Sequence, residues 1–68
     1  MASRYKVFGR VAEAREILPG RWGAALLPGR GRRRMTGWVR CLGCRATREA
    51  AQAALDAWAR NMGLRPII

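Results

Sequence analysis

The sequence predicts a small α+β domain, a three-stranded antiparallel sheet packed by one C-terminal α-helix. Three observations lead there. Residues 4–11, 21–27 and 35–41 carry strand-like patterns, and Pro/Gly turn signals separate them. Residues 47–63 form an Ala-rich segment with its own start and stop signals. The chain has 68 residues, room for a single domain, 1–68. A domain of that size buries roughly 60% of its unfolded surface, so the core is thin. Tyr5, Phe8, Trp22, Trp38, Leu55 and Trp58 are the candidate large anchors.

The first strand is read from Arg4 to Val11, with Tyr5, Val7 and Val11 on one face and Lys6 and Arg10 on the other. Residues 12–18 are open to two readings. Val11, Ala14 and Leu18 fit a helical stripe, and Glu13, Ala14 and Glu16 are poor strand formers, yet the stretch continues a strand. Pro19-Gly20 turns the chain into a second strand around Trp22, Leu26 and Leu27. Pro28-Gly29-Arg30-Gly31 is a second turn, followed by Arg32-Arg33-Arg34. The third strand places Met35, Val39 and Cys41 on one face and Thr36, Trp38 and Arg40 on the other, and Gly37 marks a bulge or close backbone approach.

The helix is expected over 48–62. Thr47 suits the N-cap, Glu49 the positive end of the helix dipole, and Gly63 the C′ position before Pro66. Ala51, Leu55, Trp58 and Met62 form its apolar stripe. That stripe covers one sheet face, leaving the other open and carrying much of the arginine.

Charge is the main functional signal. Lys+Arg number 14 against 4 Asp+Glu, with no His and a net charge of +10. Lys6 is the only lysine. Arginine presents a planar fork that matches phosphate and guanine edges. A GC-rich genome also enriches arginine, so composition alone does not name the partner. Within residues 21–45 lie Arg21, Arg30, Arg32, Arg33, Arg34, Arg40 and Arg45, and no acid. These are the candidate nucleic-acid-binding residues, with Arg30 to Arg34 at a hairpin tip. A solvated loop is the plainer reading of that tip. Trp22 and Trp38 flank it as candidate stacking residues or as core.

Catalysis is not expected. There is no His to act as a base, no paired carboxylates, and no GxSxG, P-loop or HExxH pattern. Cys41-Leu42-Gly43-Cys44 is a CxxC motif, but structural zinc needs four ligands and no second pair or His exists. Redox chemistry normally sets CxxC at a helix start in a βαβ unit. A tight turn with reduced cysteines fits better, and no metal or cofactor is implied. No apolar run reaches membrane-spanning length and no signal peptide is evident. The chain therefore reads as a complete cytoplasmic gene product.

Gly20-Arg21-Trp22-Gly23, the Gly-Arg-Gly-Arg-Arg-Arg turn at 29–34 and Ala46-Thr47-Arg48-Glu49-Ala50-Ala51 together resemble the arm-type DNA-binding domains of phage tyrosine recombinases. The likeness spans about residues 20–62. It implies a sheet that enters the DNA major groove and a phage-borne, free-standing module. No recombinase follows here, and CxxC is foreign to the pattern. Three hypotheses result: binding of double-stranded DNA; a small inhibitor or adaptor, as anti-CRISPR proteins are, docking on a protein or ribonucleoprotein surface; and RNA binding through an exposed tryptophan. DNA is favoured over RNA.

Overall fold

The computed structural model describes residues 3–28 and 35–67. Four strands form one antiparallel sheet in the order β1-β2-β3-β4: β1 Tyr5–Val7, β2 Arg10–Leu18, β3 Arg21–Pro28 and β4 Gly37–Trp38. A short 3-10 turn, Arg40–Leu42, leads to the single helix, α1, Arg48–Met62. The α+β class and the C-terminal helix are as the sequence predicts, but the sheet has four strands, not three.

The difference arises at Phe8-Gly9. The predicted strand 4–11 is two strands joined by this two-residue loop, with Val7 paired to Arg10. Phe8 has φ 50 and Gly9 φ 76. Positive φ at both central residues is the type I′ hairpin geometry, which suits the right-handed twist of the ribbon. Such turns favour Asn-Gly, so Phe8 hides the signal. A bulky residue in this region costs roughly 1–2 kcal/mol. Reversal at the loop also changes the faces. Val11 stands opposite Lys6, and Arg10 opposite Val7, the reverse of the single-strand reading.

Residues 12–18 are strand. They pair with β3 from Ala12↔Leu26 to Leu18↔Arg21, and one register shift leaves Ile17 as the extra residue of a bulge. Cross-strand pairing supplies here what local propensity lacks. The bulge lays Ile17 over Gly23, where a Cβ would run into its Cδ1. Gly20, with φ 73, closes the turn, and its N–H donates to the Glu16 carboxylate at 3.1 Å.

The predicted third strand, 35–41, is shorter than expected. After Gly37 and Trp38 pair with Leu26 and Ala25, the Val39 N–H donates to the Ala24 carbonyl at 2.8 Å. The chain then winds into the 3-10 turn, and Leu42 packs against the core.

Helix α1 has the predicted ends. Thr47 Oγ1 accepts from the Ala50 N–H at 3.2 Å. Gly63 is left-handed with φ 72. Its N–H donates to the Arg60 carbonyl and that of Leu64 to the Ala59 carbonyl, the paired bonds of a Schellman stop. The buried stripe, however, is Ala51, Leu55 and Ala59. Trp58 is half-buried and Met62 is 51% exposed. Gly63 turns Leu64 back against the core at that end, so Met62 is not needed there.

Opposing this stripe are Tyr5, Val7, Ala12 and Ala24. Alanines on both layers let helix and sheet approach closely, and among the described residues Leu55, at 0% exposure, is the one large side chain fully enclosed. The expected anchors are mostly peripheral. Trp22, Trp38 and Trp58 are half-buried, and Phe8 is 90% exposed. Tyr5 ties the layers by a polar bond as well, its hydroxyl donating to Asp56 Oδ1 at 2.7 Å. Gln52 Nε2 donates to the same oxygen at 2.9 Å and to the Ser3 carbonyl at 3.0 Å. The C-terminal segment covers the outer edge of β1, with Pro66 opposite Tyr5 and the Ile67 N–H donating to the Arg4 carbonyl.

Replacing Leu55 by Ala should cost about 2–5 kcal/mol, a large part of the stability of a domain this small. Urea unfolding followed by tryptophan fluorescence measures it. Tyr5 ionises above its usual 10.0, first because of its hydrogen bond to Asp56, then burial, then the Asp56 charge. Its protonated form is the one the fold favours. The associated stability should be intact below pH 10 and lost as pH climbs through the raised value. Tyr5 is the only tyrosine, so ultraviolet titration of native and urea-unfolded protein reports the shift directly.

Candidate nucleic-acid interface

Of the predicted binding arginines, Arg21, Arg40 and Arg45 are among the described residues, at the start of β3 and on the connection to α1. Arg21 begins that strand. Its neighbour Trp22 exchanges two backbone hydrogen bonds with Arg45, each of 2.7 Å. This pair fixes the chain just before α1 against the start of β3 and sets Arg45 on the face of Trp22, while Arg21 turns to the other face. Arg48 is the first residue of α1. It lines with Trp22, Glu16 and Ala14 an open cleft of about 460 Å³. Arg21, Arg45 and Arg48 are all exposed. Arg40, also exposed, stands on the 3-10 turn between the two attachments to β3. Arg30, Arg32, Arg33 and Arg34 lie outside the described residues. The chain leaves β3 for that run at Pro28, the opposite end from Arg21 and about 23 Å away at the usual strand rise.

The open sheet face, expected to carry much of the arginine, carries part of it among the described residues. Among the described residues, the face away from α1 presents Lys6, Val11, Glu13, Arg15, Leu27 and Trp38, by register. Arg21 also falls on this face, two positions before Gly23 on β3, while Arg15 pairs with Glu13 at 3.5 Å. Ala25 and Leu27 on this face are buried, flanked across the strands by Val11 and Trp38. Among the described residues, Arg40, Arg45 and Arg48 lie on the connection to α1 and at its head, all exposed.

Trp22 and Trp38 point to opposite faces, because Trp38 pairs with Ala25, three positions from Trp22. They do not form one stacking platform. Arg48 was legible only as a helix residue; its approach to Trp22 depends on the Arg45 bridge, which leaves no local signal.

The acids are engaged within the fold. Glu13 holds Arg15, Glu16 holds the Gly20 turn, and Asp56 accepts from Tyr5 and Gln52. Glu49 lies in the first turn of α1, where the dipole favours it. Arg45 and Arg48, by contrast, bring positive charge to the positive end of α1. Nothing in helix stability accounts for cations there.

Cys41 is exposed on the 3-10 turn and Cys44 is half-buried, both as free thiols. Gly43, with φ 70, lets the chain turn between them. Among the described residues no group of three or more His, Cys, Asp or Glu is placed to hold a metal. No helix among them is long and apolar enough to cross a membrane.

Compared with known proteins, the chain matches no family model, no curated sequence and no solved structure. The resemblance to recombinase arm domains thus gains nothing from these comparisons.

Because Arg45 is held by its backbone and both side chains are exposed, Arg45→Ala/Arg48→Ala should leave the fold intact. Relief of the dipole conflict should hold or slightly raise the melting temperature. A loss above about 1 kcal/mol would show instead that the side chains are structural.

Proposed function

We propose that the protein is a small nucleic-acid-binding module that takes double-stranded DNA, and acts by binding rather than catalysis. One observation carries the reading. The four acids serve the fold, while arginines stand exposed at the start of β3, on the 3-10 turn and at the head of α1. Uncompensated cations repel one another, and a polyanion relieves that repulsion while releasing its own counterions. Arginine adds bidentate bonds to phosphate, which a point charge lacks.

Arg21, Arg40, Arg45 and Arg48, together with the run Arg30 to Arg34, would supply the phosphate contacts. A duplex fits better than a single strand. Single-strand binders line up aromatic rings along one groove, and the two tryptophans here face opposite ways.

The test is binding to a labelled mixed-sequence duplex across a salt series. Affinity should fall steeply with salt, with a log–log slope near −0.9 per phosphate neutralised. Arg32→Ala/Arg33→Ala/Arg34→Ala and Arg21→Ala/Arg45→Ala/Arg48→Ala should each flatten the slope, by up to about 2.7 if all three arginines touch phosphate. Absence of binding at low salt would sink the proposal and turn attention to a protein or ribonucleoprotein surface. Preference for RNA duplex or single strands would correct the ligand.

A further inference from the structure

The β1–β2 hairpin tip has no role in the arginine contacts just described, and it carries a residue the fold does not call for. Phe8 occupies the first central position of a type I′ turn at φ 50, where Asn or Gly sits without strain. Its ring is 90% exposed, so burial returns nothing for the strain. Exposed cations stand on either side. Lys6 shares a face with Val11, and Arg10 shares the opposite face with Val7, so the two flank the tip from both sides of the ribbon. The first acid along the ribbon is Glu13.

From this geometry we propose that Phe8 is a wedge that enters between stacked base pairs of duplex DNA. Lys6 and Arg10 hold the phosphates on either side of the opened step. Apolar wedges of this kind partly unstack a step and kink the duplex. A wedge needs an apolar ring that is not engaged in the fold, and the tight turn holds up Phe8 with its ring 90% exposed. Charge complementarity selects the duplex as occupant: a ring ringed by cations in a chain of net charge +10 meets a polyanion first. The inference rests on the nucleic-acid reading above and adds a deformation of the ligand to it.

The decisive variant is Phe8→Asn, which suits the turn better than the native residue. It should raise the melting temperature, by about 4–8 °C if most of the strain is relieved. Purified full-length protein is mixed with a duplex carrying 2-aminopurine, and with one labelled at both ends for energy transfer. Wild type should brighten the 2-aminopurine and shorten the end-to-end distance. Phe8→Asn should lose both signals and bind on the order of tenfold more weakly, with an unchanged salt slope because the ring carries no charge. Phe8→Leu should keep part of each signal. Equal affinity and equal signals for Phe8→Asn and wild type would overturn the wedge and leave DNA binding standing. Duplex binding without either signal in wild type would do the same. Failure of wild type to bind at low salt would overturn both. A lower melting temperature for Phe8→Asn, or Phe8-dependent binding to anionic vesicles in preference to duplex, would also overturn the wedge.

Discussion

The close approach of α1 to the alanine-lined face of the sheet is the constraint on which the rest of the molecule depends. Ala12 and Ala24 below and Ala51 and Ala59 above leave no room for larger side chains, and Leu55 fills the space between them. A short chain cannot enclose several tryptophans, and this one does not try. Small residues bring two backbones together, so the layers exclude water with little side-chain volume and little loss of side-chain entropy. The large residues Leu26, Val39, Leu42, Trp58 and Leu64 then seal the margin of that contact. The Tyr5–Asp56–Gln52 bonds pin β1 to the helix, and the segment after Gly63 pins the outer edge of β1.

The same economy governs charge. The acids sit where they complete a turn, an ion pair, a helix end or an interlayer hydrogen bond. Among the described residues, Arg21, Arg40 and Arg45 stand exposed at a strand start and on the connection to α1, where solvent screens them. Some stand where they are unfavourable, as Arg45 and Arg48 do at the head of α1. A chain under selection for stability alone would reverse those signs. Phe8 is the apolar counterpart: a residue strained in its turn and bare of contacts. Departures from local preference that nothing in the fold repays are where a binding role is most reasonably sought.

Much of the fold was legible in the sequence, and the parts that were not share a cause. The helix ends could be read from Thr47 and Gly63 because caps are local hydrogen-bonding events. The turn at Pro19-Gly20 was legible for the same reason. The break at Phe8-Gly9 was hidden because tertiary pairing imposed a hairpin on a dipeptide of mixed preference. Residues 12–18 stayed open between strand and helix because β3, a partner distant in sequence, decides them. Of the candidate site, the membership of Arg21, Arg40 and Arg45 among exposed cations was foreseeable from charge. The bridge of Arg45 to Trp22, and the cleft that Arg48 shares with Trp22, were not.

By itself the sequence determined the fold class, the span of α1, its caps and the excess of positive charge. These follow from composition and from interactions between residues a few positions apart. Tertiary structure alone decided the number of strands, which alanines meet which, and which faces Val11, Arg10, Trp22 and Trp38 take. Register is a property of paired strands, and a shift of one residue sends every side chain to the other face. That is why a pattern that names the arginines does not say where they stand.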